Sequence, residues 1–261
     1  LSQNNKESVL FRKSYPKSQL IALTPTKYKN IISKSVYGIS WMKACVIIPA
    51  RFESSRFPGK PLVKILNKEM IIWVAERSAL AVGKSNVYVA TDNLKISKKV
   101  EEYGFNSIMT SSELLTGTDR VAKAALKLDY KIFVNVQGDE PMVNPQDILK
   151  SIELKKNFSS YIINSYCFLN NNEDPKNKNI PKVITNENDD LVYISRAVIP
   201  NLKKSSLENI QYKKQVCIYS YFKKELIEFV NYGKKSFLEN IEDIEILRFF
   251  ELNKKVKMFE T

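Results

Sequence analysis

The sequence has 261 residues, 44% hydrophobic and 11% aromatic, a globular composition that excludes a disordered chain. It contains no histidine, which removes a histidine triad, a histidine general base and a histidine-ligated zinc from consideration. The formal net charge is +13, of which residues 1–41 supply +6, and the rest is mixed with acids along the chain. No clustered basic helix or RNA-binding aromatic motif accompanies that charge, so it suits phosphate-rich or carboxylate-bearing small substrates better than nucleic acid.

Residues 1–41 contain no methionine, are polar and basic, and carry Pro16 and Pro25 without sustained periodicity. They are expected to lie outside an enzyme domain that begins at Met42. No run approaches the roughly 18 apolar residues of a membrane span, and no secretory signal pattern is present, so a cytoplasmic location without membrane insertion is expected. Cys45, Cys167 and Cys217 lie far apart in apolar stretches and read as reduced, buried thiols.

From residue 43 the pattern becomes regular. Residues 43–49 form a nearly continuous apolar run, expected to be a strand buried on both faces. A polar loop follows, then a helix over 70–83 with Gly83 at its end, a strand over 86–91 and a helix over 93–103. A short strand at 107–110, a helix at 118–129, a strand at 131–136 and a helix at 145–156 come next. Strand-helix alternation at this spacing predicts an α/β fold of Rossmann-like type with a mostly parallel sheet. The second half reads as a smaller mixed α+β element. Its strands are expected at 161–168, 182–186, 191–195 and 216–222, its helices at 223–231 and 240–252, and a last strand at KVKMFE.

Ligands on such sheets bind beyond the carboxyl ends of the strands. The loop after the first strand, RFESSRFPGKPL, holds cations, hydroxyls and a glycine, the ingredients of a phosphate site. It matches neither the GxxxxGK[ST] nor the GxGxxG pattern. The loop after 131–136, QGDEP, offers carboxylates that suit a hard cation.

The run IPARFESSRFPGKPL, followed by VATDN, MTSSELLTGTDRVA, VNVQGDEPMV, YISRAVIP and EDIEILRFFE, resembles the sugar-acid cytidylyltransferases, most closely the 3-deoxy-manno-octulosonate (Kdo) type. The six blocks cover nearly all of 42–261 in the family's order. The resemblance implies attack by a sugar's anomeric hydroxyl on the α-phosphate of CTP, giving CMP-Kdo and pyrophosphate for lipopolysaccharide biosynthesis. It implies Arg51 and Lys60 as triphosphate-holding catalytic residues and Asp139 as ligand of the Mg²⁺ cofactor. The nucleotide would further meet Pro49, Ala50, Met109, Thr110, Ser111, Thr116, Gly117 and Gln137. The sugar would meet Gln137, Arg196, Gln215, Tyr219 and Glu245, with Arg196 on its carboxylate. Asp92 reads as structural. A homodimer is also implied.

The chain departs from the family pattern in the sugar pocket. The family often has histidine at Gln215, glycine at Cys217 and glutamine at Ile246, which leaves another acidic sugar, sialic-type or 8-amino-Kdo, as an alternative. Family chains also continue into a VDTPEDL-like segment whose first aspartate is a second metal ligand. The sequence stops at Thr261, so that ligand and a closing helix are expected to be missing, with an inactive fragment as the corresponding alternative.

Overall fold

The structure is a computed structural model that describes residues 43–53, 57–203 and 210–261. The expectation for residues 1–41 lies outside the described residues.

Strand β1 (Ala44–Ala50) explains the layout of the whole sheet. Side chains alternate across a strand. Cys45 and Ile47 enter one apolar cluster, and Val46, Ile48 and Ala50 enter a second on the other face. Both faces are therefore covered, and the strand reads as continuous apolar sequence for that reason. After the loop come a short hairpin, β2 (Lys64–Ile65) and β3 (Lys68–Glu69), and helix α1 (Met70–Val82). Strand β4 (Val87–Thr91), helix α2 (Leu94–Glu102) and strand β5 (Asn106–Met109) follow. Helix α3 (Gly117–Ala125) is capped by the Thr116 side chain, which accepts from Asp119 N, and leads to β6 (Ile132–Val136). Helix α4 (Pro145–Asn157) starts from the Asn144 cap with proline in its first turn.

Strands β6, β1, β4 and β5 lie side by side in that order, all parallel. The chain moves outward from β1 to β4 and β5, then returns to place β6 on the opposite side of β1. The order thus reverses between β1 and β6, and the carboxyl ends of these two strands flank the crevice where such sheets bind ligands.

The second half extends the same sheet instead of packing on it. Its strands are β7 (Tyr161–Phe168), β8 (Lys182–Thr185), β9 (Leu191–Ser195) and β10 (Lys213–Phe222). Strand β10 pairs antiparallel with β6 and with β7, and β11 (Lys255–Glu260) closes that edge parallel to β7. The result is a nine-stranded mixed sheet among the described residues. Helix α5 (Lys223–Asn231) follows β10 directly. The helix expected over 240–252 is two: α6 (Phe237–Glu242) and α7 (Ile246–Glu251). Asp243 interrupts them at φ 50, a left-handed conformation that ends one helix and redirects the chain. Periodicity could not reveal the break, because the apolar spacing continues across it.

One buried cluster lies under α3, α5 and α7, the other under α1, α2 and α4, giving three layers. No helix among the described residues is long and apolar enough to cross a membrane. Cys45 is buried, whereas Cys167 and Cys217 are half-buried; all three are free thiols.

Candidate active site

A cavity of about 490 Å³ opens at the carboxyl ends of β1 and β6. Pro49, Ala50 and Arg51 form its floor where β1 ends. The loop beyond folds back through Gly59, whose N–H donates to Phe52 O at 2.8 Å. Gly59 has φ 73, so a left-handed residue with no side-chain penalty sits just before the short 3₁₀ turn Lys60–Leu62. Pro61, buried in that turn, fixes the backbone and leaves Lys60 facing the cavity.

On the facing side, β6 ends in Gln137, Gly138 and Asp139. A Cβ at Gly138 would lie 2.9 Å from Pro49 O, so only glycine lets the two strand ends approach this closely. The approach brings Lys60 Nζ to 2.5 Å from Asp139 Oδ2, with both side chains substantially exposed at 40% and 48%. A lysine and a carboxylate meeting in the open have little to gain as a stabilising pair. Both charges instead face the open cavity. Glu140, next in sequence, is pushed up to about 7 by burial and then by the Asp139 charge, against the pull of Lys60 and Lys214.

The third wall comes from the N-terminus of α3. Thr116 and Gly117 line the cavity. Gly117 N–H donates to Glu245 Oε1 at 3.0 Å, and Thr118 N–H donates to Glu245 Oε2 at 2.7 Å. A carboxylate at this end satisfies two otherwise unpaired N–H groups and complements the helix dipole. Burial nevertheless raises the Glu245 pKa, and the Thr118 and Gly117 hydrogen bonds oppose that rise. Glu245 reaches this place because of the break at Asp243.

The cavity thus unites Pro49, Ala50, Arg51, Lys60, Thr116, Gly117, Gln137, Asp139 and Glu245 from the sequence-based set. Met109, Thr110 and Ser111 lie at the end of β5, off its lining. Thr110 is nonetheless tied to it, because its hydroxyl accepts from Arg120 Nη1 at 2.5 Å. Arg120 does line the cavity and also donates to Asp92 Oδ2 at 2.8 Å. Asp92 in turn accepts from Phe52 N–H at 3.2 Å, so it braces the loop after β1, as its structural reading expects.

Three sugar-side residues lie off the lining as well. Gln215 donates to Asn164 Oδ1 at 3.0 Å and to the Tyr219 hydroxyl at 3.1 Å. Tyr219 is buried, and burial followed by the Cys217, Tyr221 and Glu245 groups raises its pKa well above the usual phenol range. Arg196 spends its guanidinium on the carbonyls of Glu242, Lys178 and Asp243 at 2.5, 3.0 and 2.9 Å.

Sequence reasoning passed over Arg120, Lys235 and Glu239, all of which line the cavity. Arg120 had a signal, since it directly follows Asp119 in the TGTDR motif. Lys235 had none: it enters the wall through the turn before α6, paired with Asp243 Oδ1 at 3.0 Å. Glu239 belongs to a buried triad with Arg248 and Asp119. Arg248 lies 2.6 Å from Glu239 and 2.8 Å from Asp119, and stacks 3.8 Å above the Phe229 ring.

The chain is similar to known proteins over most of its length. The family model described as Cytidylyltransferase matches residues 45–256. The chain is 33% identical over 218 residues to "3-deoxy-manno-octulosonate cytidylyltransferase" of Escherichia coli, spanning 84% of this chain and 87% of that protein. It is 39% identical over 229 residues to "3-deoxy-manno-octulosonate cytidylyltransferase 2" of Hydrogenovibrio crunogenus, spanning 84% and 90%. A solved structure of CMP:2-keto-3-deoxy-manno-octonic acid synthetase complexed with CTP superposes with a TM-score of 0.76 at 33% identity, covering 84% of this chain and 90% of that one. A cytidylyltransferase from Leptospira borgpetersenii, at 15% identity and a TM-score of 0.54, shares the fold. With the strand-end cavity in place and these matches across most of its length, the chain belongs to the cytidylyltransferase family.

Proposed function

We propose that the chain transfers CMP from CTP to the anomeric hydroxyl of 3-deoxy-manno-octulosonate, releasing pyrophosphate. The observation that carries this reading is the meeting of Lys60 and Asp139 at 2.5 Å in the cavity between β1 and β6. Opposite charges from two different strand ends converge there on a space large enough for a nucleotide.

Arg51 and Lys60 hold the triphosphate and neutralise charge that builds on the departing pyrophosphate. Arginine supplies a planar fork to phosphate oxygens, and lysine a compact point charge. Thr116, Gly117 and Gln137 hold the base and sugar ends of the nucleotide against the wall of α3. Glu245 fixes that wall through the Gly117 and Thr118 N–H groups. The acidic sugar enters beside Glu245, so that its hydroxyl lies near the α-phosphate; positioning of this kind supplies much of the rate.

The donor set fits a divalent cation, which we propose is Mg²⁺. Asp139 is exposed and carries its charge into the cavity, although no cluster of three or more His, Cys, Asp or Glu ligands exists among the described residues. Mg²⁺ is commonly held by one or two carboxylates together with substrate phosphates, so a single strong protein ligand suffices to receive it. When bound it would add positive charge beside the phosphates. We further propose a cytoplasmic homodimer, checked by light scattering and by cell fractionation.

The test is pyrophosphate release by the full chain supplied with CTP, Mg²⁺ and a panel of acidic sugars. Release with Kdo, weaker with sialic acid and 8-amino-Kdo, is expected. Release with none of them would overturn the reading; preference for another acid would redirect it.

A further inference from the structure

One side chain of α3 ties together the ends of three strands. Arg120 is 3% exposed and lines the cavity. Its Nη1 donates to Thr110 Oγ1 at 2.5 Å, and its Nη2 donates to Asp92 Oδ2 at 2.8 Å. Thr110 lies just past β5. Its N–H and its hydroxyl both donate to Thr91 O, at 2.8 and 3.1 Å, which leaves a hydroxyl lone pair for the guanidinium. Asp92 lies just past β4, and its second oxygen accepts from Phe52 N–H at 3.2 Å. Phe52 follows Arg51, where β1 ends. The path Thr110, Arg120, Asp92, Phe52 therefore runs from the end of β5 to the loop after β1.

The two ends of this path serve different walls of the cavity. From Thr110 the chain passes through residues 111–113, all exposed, before Leu114, Leu115 and Thr116 enter the lining. So exposed a segment has little packing to fix it, and its anchor at Thr110 decides where the lining residues stand. At the other end, Phe52 fixes the loop that carries Arg51 and, further on, Lys60. Burial lowers the Arg120 pKa, the Asp92 charge and hydrogen bond oppose that fall, and the Arg51 charge adds to it. The two arginines thus feel each other across the end of β1, and an anion between the cavity walls relieves their repulsion.

We propose that Arg120 is a positioning residue that holds the segment 110–116 and the loop after β1 in fixed register, so that the base end and the triphosphate end of one nucleotide are gripped together. The proposal rests on the reading that this cavity takes CTP. The guanidinium is suited to the task because its planar fork spans two acceptors at once. Lysine keeps the charge but reaches only one of them with comparable geometry.

The experiment compares wild type with Arg120→Lys, Asp92→Asn, Thr110→Val and Thr110→Ser in the full chain. Calorimetry in Mg²⁺ buffer measures binding of CTP, UTP and inorganic triphosphate, and melting temperatures confirm that each variant is folded at the assay temperature. Asp92→Asn is expected to weaken all three ligands by about tenfold, the size of one charge-assisted hydrogen bond, with the CTP-over-UTP preference kept. Thr110→Val is expected to reduce that preference while triphosphate binds as in wild type, and Thr110→Ser, which keeps the hydroxyl, to restore it. Arg120→Lys shows both defects. If Arg120→Lys fails to fold, the opposite signatures of Asp92→Asn and Thr110→Val decide the matter. Equal weakening of all three ligands in Thr110→Val would mean a merely structural role and overturns the proposal. Loss of triphosphate binding in Arg120→Lys, with wild-type binding in Asp92→Asn, would make Arg120 a direct phosphate ligand and overturns it also. Failure of wild type to bind CTP at all would instead overturn the reading of the cavity.

Discussion

The two sides of the cavity treat charge in opposite ways. On the side of β1 and β6, Lys60 and Asp139 stand exposed, bound to each other, and Arg51 is exposed. On the side of α6 and α7, Arg248 is completely buried between Asp119 and Glu239, which are themselves 7% and 1% exposed. The first arrangement gains little stability and leaves its charges at the open face of the cavity. The second consumes its charges in holding three helices together, because a desolvated ion needs every partner it can find. Charges left exposed at the cavity and charges consumed in architecture are therefore separated in space, although Glu239 of the buried triad also lines the cavity.

The largest effect should come from breaking the buried side. Arg248→Met leaves two carboxylates in the interior without their cation, and is expected to cost about 3–5 kcal/mol in urea denaturation. A cost near that of a surface substitution would mean that water reaches the triad and that the contrast is false. Lys60→Ala sharpens the comparison from the other side. Its expected loss in kcat/KM is about 10²–10³-fold, as for removal of one pre-organised charge-stabilising group. Its urea midpoint should barely move, because an exposed pair contributes about 0–1 kcal/mol. A large stability loss with retained activity would reverse the assignment of roles.

Gly138→Ala tests the hinge between the two strand ends. The added carbon meets Pro49 O at 2.9 Å, a backbone atom that cannot turn away. A destabilisation of about 1–3 kcal/mol is expected, with weaker CTP binding because Asp139 is displaced from Lys60. An unchanged melting curve and affinity would show that the loop relaxes freely.

The smallest effect is a pH dependence. Glu140 has its pKa raised from 4.5 to about 7, chiefly by burial. The folded state therefore holds a proton that the unfolded chain has released, and Glu140 favours folding below pH 4.5. That contribution is lost as pH rises through about 7. Metal-free Glu140→Gln should show a flatter decline in stability across this window than wild type. Parallel curves would place the carboxylate in water.

Much of the first side was legible from sequence. The run from Ala44 to Ala50 is apolar on both faces, which dictates a buried strand, and the loop chemistry at its end follows from residue type and position. Gln137, Gly138 and Asp139 were found in the same way, as the polar end of another apolar strand. The second side was harder to read. Sequence records the charges of Arg196 and Glu245 without recording the carbonyls and N–H groups that surround them. Lys235 had no local pattern, and the split at Asp243 was hidden under continuous helical spacing.

By itself the sequence determined the alternation of strands and helices, the parallel pairing it requires, the absence of histidine chemistry and the two loops that carry exposed charge. Those properties are local: they depend on side-chain periodicity and on residue type within a few positions. Tertiary structure alone decided that β10 inserts beside β6 to make one sheet, that Lys60 meets Asp139 at the open cavity, and that Arg196 bonds to the turn between α6 and α7. These depend on contacts between residues far apart in the chain, where burial and competition for hydrogen-bond partners decide whether a charge braces the fold or waits for a substrate.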